Sequence, residues 1–206
     1  QSIQNTRHTC VAFYNQTLYE KVRKKNSIES QMHPALQNKE FKMFLQPKFH
    51  LKTNRIVGAE ALVRWQNPDG SYRYPGEFIP LFEDNGFCLE LDMYMIGKAC
   101  EQIRDWLREG VKPIPISVNQ SKLLFSDRNY PDNLEQMLAR YQVPASLITL
   151  EILEDVATND LEYLNHQIDV LHEKGFRVSM DDFGSGYSSL NMLYQLKIDE
   201  LKLDRG

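Results

Sequence analysis

The chain has 206 residues, of which 42% are hydrophobic and 25% charged, with a formal net charge of −4. These are the proportions of a globular protein, and they exclude disordered, collagen-like and disulfide-dense classes. The acidic balance argues against a bulk nucleic-acid binder, which needs a basic face. No run approaches the roughly 18 apolar residues of a membrane span. Gln1 to Asn5 lack a basic region followed by an apolar run, so no secretory signal is visible. The chain opens on Gln1 rather than methionine, as a processed or excised piece would. Cys10, Cys88 and Cys100 form no CxxC pair, which argues for reduced thiols in a cytoplasmic compartment.

In chain order, Thr9–Phe13 reads as a short strand. Leu18, Val22, Ile28, Met32 and Leu36 suggest a helix over 15–40, which Pro34 should limit or kink. Lys21, Arg23, Lys24 and Lys25 form a solvated basic face on it. This helix is expected to link residues 1–20, the tail of an upstream domain, to a main domain over 41–206.

From Phe41 onward strand and helix signals alternate. Phe41–Pro47 and Arg55–Trp65 read as strands around a turn at Lys52-Thr53-Asn54. Pro75–Asn85 reads as a helix stopped by Gly86. Leu91, Met95, Ala99, Ile103 and Leu107 mark a long amphipathic helix stopped by Gly110. Strands follow at Ile114–Asn119, Leu147–Ile152, Phe176–Asp181 and Glu200–Asp204. Helices alternate with them at Pro131–Tyr141, Leu161–Lys174 and Ser188–Tyr194. Such alternation predicts parallel strands covered by helices, in a barrel or a doubly wound sheet.

Buried parallel strands should be nearly continuous apolar runs. Glu60, Asn119, Glu151, Asp181 and Lys202 break that rule near the C-terminal ends of their strands. A polar group is costly to bury unpaired. One explanation covers all five: they converge at the C-terminal mouth of the sheet, where such folds place catalysis. Carboxylates and an amide oxygen are hard ligands that suit Mg²⁺ or Mn²⁺. Asp181-Asp182 precedes the glycine-rich Phe183-Gly184-Ser185-Gly186-Tyr187. A turn there would let both aspartates face one cluster and serve two metal ions. Arg64 shares a strand face with Glu60 and Leu62 and could pair with a phosphate at the rim. Its alternative is a salt bridge to a neighbouring acid. Gln46, at the end of the first strand, could reach the same mouth.

These residues also carry a family resemblance. Gly58-Ala59-Glu60-Ala61-Leu62-Val63-Arg64-Trp65 resembles the signature of the EAL-domain cyclic di-GMP phosphodiesterases. The likeness continues through Gln46-Pro47, Phe78-Ile79-Pro80, Ser117-Val118-Asn119, Leu150–Glu154, Asp181–Leu190 and Leu201–Arg205. It implies a TIM-like (β/α)₈ barrel whose first strand runs antiparallel. It implies hydrolysis of cyclic di-GMP to linear pGpG with Mg²⁺ or Mn²⁺, two ions in all. Glu60, Asn119, Glu151 and Asp181 match the family's metal ligands, and Asp182 its second-metal ligand. Lys202 matches the lysine at the nucleophilic water, so Lys202, Glu60 and Asp181 stand as the catalytic set. Glu154 matches the residue that anchors the Asp182–Leu190 loop. Gln46, Leu62 and Arg64 match substrate-binding positions.

The implied setting is cytoplasmic, as a homodimer, with an upstream GGDEF or sensor domain whose end residues 9–40 resemble. The competing reading is a catalytically silent cyclic di-GMP receptor. A glycosidase barrel could use paired carboxylates, but it has no need of Asn119, Asp181-Asp182 and Lys202 together. A full barrel takes about 250 residues, so the last two strands are expected to be missing from this chain. The family's seventh-strand glutamate and a glutamine near the eighth would be missing with them.

Overall fold

The structure, a computed structural model, describes residues 16–125, 127–154, 161–184 and 190–203. The strand expected at Thr9–Phe13 lies outside them, as do Cys10, Ser185–Ser189 and Asp204–Gly206.

Helix α1 spans Gln16–Gln37 and runs through Pro34 without ending there. Proline removes one helical donor and crowds the preceding turn. Here Ile28 and Ala35 are buried in the core and Met32 and Leu36 pack against it, which holds the last turn in place. Tertiary packing thus overrides the local break.

Strands β1 (Phe41–His50) and β2 (Arg55–Gln66) form a long antiparallel hairpin. The two-residue strand β3 (Tyr72–Arg73) folds back on the end of β2, an element the sequence pattern did not announce. Helices α2 (Pro75–Asn85) and α3 (Cys88–Arg108) follow. Gly86, at φ 81°, closes α2 in the left-handed conformation that glycine adopts without steric cost. The chain then alternates β4 (Ile116–Asn119), a single turn α4 (Lys122–Phe125), α5 (Tyr130–Tyr141) and β5 (Ile148–Leu153). It continues with α6 (Leu161–Glu173), β6 (Arg177–Phe183), α7 (Leu190–Gln195) and β7 (Glu200–Leu203).

One curled sheet runs in the order β1-β2-β4-β5-β6-β7, with β3 hung on β2. All neighbours from β2 to β7 are parallel, and only β1 and β3 run antiparallel to β2. The expected antiparallel first strand is therefore present, and the described residues form part of a TIM-like barrel.

The two faces of the central strands differ in chemistry. Ile116, Val118, Ile148, Leu150, Ile152, Val178 and Met180 alternate toward the helices and are buried. The intervening positions are also buried yet polar: Ser117, Thr149, Glu151 and Ser179. Register ties them together, with Glu60 beside Ser117, Ser117 beside Thr149, Glu151 beside Ser179, and Ser179 beside Glu200. The concave side of the sheet is thus a polar interior.

An aromatic group within the core packs against the hairpin. Phe41, Trp65, Phe78, Phe82 and Phe87 pack with ring centroids 4.7–6.3 Å apart. Trp65 also donates its indole N–H to Glu40 at 3.1 Å, which satisfies its polar atom. Leu91, Met95, Ile96, Ala99 and Ile103 turn the apolar face of α3 onto the sheet. This anchors β2 and so fixes where Glu60 projects.

Candidate active site

Three strands deliver three carboxylates to one point. Glu60 comes from β2, Glu151 from β5 and Asp181 from β6, with one oxygen of each within 4.8 Å of the others. Glu151 is completely buried, and the other two are mostly so. Lys202 on β7 points its ammonium into the group. It donates to Glu60 Oε2 at 2.9 Å, Glu151 Oε2 at 3.1 Å and Asp181 Oδ2 at 2.5 Å. Burial pulls the Lys202 pKa down, but hydrogen bonds to Asp181 and Glu60 and the charges of Glu151 and Glu60 outweigh it. The result lies above the ordinary lysine value, so the group stays cationic.

Asn119, at the end of β4, donates its amide to Glu60 Oε1 at 3.3 Å and borders the cluster. Gln120 holds the backbone beneath it. Its amide donates to the Asn119 carbonyl at 2.5 Å and its oxygen accepts from buried Tyr130 at 2.5 Å. Gln46 is aligned with Glu60 across the β1–β2 pair, which puts both on the concave face.

Asp182 occupies a different place. The chain does turn there, at φ 54°, a left-handed conformation that aspartate tolerates better than most residues. β6 loses regular register with β7 between Met180 and Phe183. The Asp182 N–H folds back onto Asp181 Oδ1 at 2.9 Å, and the Asp182 side chain is exposed, outside the three-carboxylate group. Glu154 is buried and accepts the N–H of Gly184 at 2.9 Å, at the start of the glycine-rich loop. Arg64 donates to the Val63 carbonyl at 2.7 Å, and its guanidinium lies over the Tyr74 ring at 5.2 Å. Among the described residues stacking, rather than an acid, holds it at the rim.

The sequence pattern had not marked Lys48, Glu200 or Asp92. Lys48 on β1 donates to Ser117 at 2.8 Å, Glu151 Oε1 at 2.9 Å and Glu200 at 3.0 Å. Period two along β1 already put it on the face of Gln46, a signal its charge masked. Asp92 on α3 borders a cavity of about 360 Å³ that Leu62, Ile79, Asn119 and Ser121 also line. The Asp92 carboxylate accepts the Ser121 N–H at 2.7 Å. Burial, with Glu83 nearby, raises its pKa to about 7 despite that bond.

The residues fit a hard divalent cation. The donors are oxygens, and neither His nor Cys joins the cluster among the described residues. The three carboxylates Glu60, Glu151 and Asp181 outnumber the two ammonium groups that reach them, Lys202 and Lys48, and Lys48 is shared with Glu200 outside the cluster. The surplus is negative, as such an ion requires.

A family model for the EAL domain matches residues 29–206. The chain belongs to the EAL-domain family. Among its relatives is the bifunctional diguanylate cyclase/cyclic di-GMP phosphodiesterase MucR of Pseudomonas aeruginosa. The two are 35% identical over 175 residues, 85% of this chain and 26% of MucR. Signaling protein YkoW of Bacillus subtilis is 33% identical over 193 residues, 94% of this chain and 24% of YkoW. This EAL domain thus spans about a quarter of the length of these relatives. Among solved structures, the MucR phosphodiesterase in complex with c-di-GMP superposes with a TM-score of 0.81 at 34% identity. The match covers 87% of this chain and 72% of that one. The EAL enzyme Bd1971, in a form bound to cAMP and cyclic di-GMP, gives 0.80 at 30% identity over 93% of this chain and 52% of that one. No helix among the described residues of this EAL domain is long and apolar enough to cross a membrane.

Proposed function

We propose that this EAL domain hydrolyses cyclic di-GMP to linear pGpG with Mg²⁺ or Mn²⁺. The observation that carries the reading is the meeting of Glu60, Glu151 and Asp181 from three strands around the Lys202 ammonium. The likeness to MucR, a bifunctional diguanylate cyclase/cyclic di-GMP phosphodiesterase, supports the same substrate.

Glu60, Glu151 and Asp181 would hold the ion, with Asn119 beside them. Asp182 would serve a second ion. When bound, the metal supplies a more acidic water and a counter-charge for the phosphate. Lys202 would orient the attacking water through an ammonium that stays charged at neutral pH. The water oxygen forms a bond to phosphorus and gives up a proton, the bond from phosphorus to the ribose 3′ oxygen breaks, and that oxygen takes a proton, so one water is added overall. Arg64 and Gln46 steady the phosphate at the rim, and Leu62 packs against the base or sugar. Glu154 keeps the Asp182 loop in place. The helix α1 would connect the domain to an upstream GGDEF or sensory domain in the full protein.

The test is direct. Intact protein with Mn²⁺ should convert cyclic di-GMP to pGpG, and Glu60→Ala should abolish turnover. Unchanged turnover in Glu60→Ala would reject the assignment of the site.

A further inference from the structure

We infer that Lys48 is a positioning residue that sets the metal-binding geometry of Glu151 from beneath the site. The inference rests on the metal-dependent reading proposed above. Glu151 is completely buried, and its two oxygens are divided between two lysines. Oε2 faces Lys202 and the other acids, whereas Oε1 accepts from Lys48 at 2.9 Å. Among the described residues, no other side chain donates to this carboxylate.

Lys48 is itself well fixed. It comes from the antiparallel edge strand β1, opposite Gly58. A Cβ on Gly58 would meet the Pro115 carbonyl at 3.2 Å and the Lys48 stem at 4.0 Å. The Lys48 stem thus runs within ordinary van der Waals range of Gly58 on its way into the curled sheet. Its ammonium then makes three bonds: to Ser117 on β4, Glu151 on β5 and Glu200 on β7. It crosses from the first strand of the sheet to the last. With Oε1 tied down, the carboxylate plane cannot rotate, and a single oxygen is presented to the cluster. Without Lys48, a buried Oε1 would lose its donor, and Glu151 would turn to share Lys202. Residues that orient a metal ligand in this way are worth about 10- to 100-fold in metal affinity or activity.

The experiment measures Mn²⁺ binding by calorimetry on the intact protein, alongside steady-state kinetics at saturating Mn²⁺. Lys48→Met should weaken Mn²⁺ binding at least about 10-fold. It should lower kcat while leaving the KM for cyclic di-GMP within about twofold, because Lys48 does not reach the rim. Lys48→Arg should recover part of the loss. Lys48→Gln, which keeps a neutral donor and guards against misfolding of the methionine variant, should fall between. Glu200→Gln removes the partner of Lys48 that lies away from the cluster and should leave Mn²⁺ affinity within about twofold of wild type. Unchanged affinity in Lys48→Met and Lys48→Gln overturns the inference. So does an equal loss in Glu200→Gln, which would mark a general closure of the sheet. Failure of the wild type to bind Mn²⁺ overturns the proposed function, and this inference with it.

Discussion

Lys202→Met tests whether one ammonium neutralises the acidic cluster. The side chain touches three carboxylates at 2.5–3.1 Å and is 23% exposed. Removing one partner of a buried ion pair costs about 3–5 kcal/mol. The partial exposure of Lys202 puts it at the low end, about 3 kcal/mol. For a domain of this size each kcal/mol lowers Tm by about 2–4 °C, so the expected loss is about 6–12 °C. The assay is a thermal melt of the intact protein in EDTA and again with Mn²⁺. In EDTA the variant should melt lower by that amount. With Mn²⁺ the gap should narrow, because a cation that binds only the folded state stabilises it by about 2.7 kcal/mol at 100 times its Kd. In the wild type the ion must compete with the ammonium, so its gain is smaller. Turnover should fall about 10²- to 10⁴-fold in either case. A melt within about 2 °C of wild type in EDTA would refute the charge-balance argument.

Two further substitutions probe the surroundings. Asp92 has its pKa raised to about 7 in the folded chain against 3.8 for the free group. Its protonated form is favoured by folding, so that contribution is complete below about pH 4 and is lost as pH rises through 7. The ceiling is about 4 kcal/mol, and partial access from the cavity reduces it to about 2 kcal/mol. Asp92→Asn keeps an acceptor for the Ser121 N–H and should melt above wild type at pH 8, with the gap shrinking at pH 5. An equal gap at both pH values contradicts the burial argument. Glu154→Ala removes the acceptor of the Gly184 N–H, a charged hydrogen bond worth about 1.5–3 kcal/mol. Turnover should fall about tenfold or more, with faster proteolysis between Asp182 and Leu190, and neither change would occur if the loop does not depend on Glu154.

The site was legible in the sequence wherever its residues broke the apolar run of a buried strand. Glu60, Asn119, Glu151, Asp181 and Lys202 each stood out this way, and four of the five meet directly, with Asn119 bonded to Glu60. Elements were legible where stop signals were local, as at Gly86 after α2. Other features depend on the curl of the sheet, which no local pattern encodes. Lys48 and Glu200 look like ordinary charges on edge strands, and only the curl brings them within 3.0 Å of each other. Asp182 was expected to face the cluster, but the chain spends its turn on directing the Asp182 N–H back to Asp181. Asp92 resembled any polar residue on an amphipathic helix until the turn at Ser121 enclosed it.

The central claim is that the Glu60–Glu151–Asp181–Lys202 constellation directs a water onto a phosphodiester. Its most direct test is a reaction of cyclic di-GMP with the intact protein and Mn²⁺ in ¹⁸O-labelled water, followed by mass spectrometry. The account predicts pGpG carrying one heavy oxygen on its 5′ phosphate, and none in EDTA. Recovery of unlabelled, intact cyclic di-GMP from a protein that binds it would contradict the account and mark the domain as a receptor.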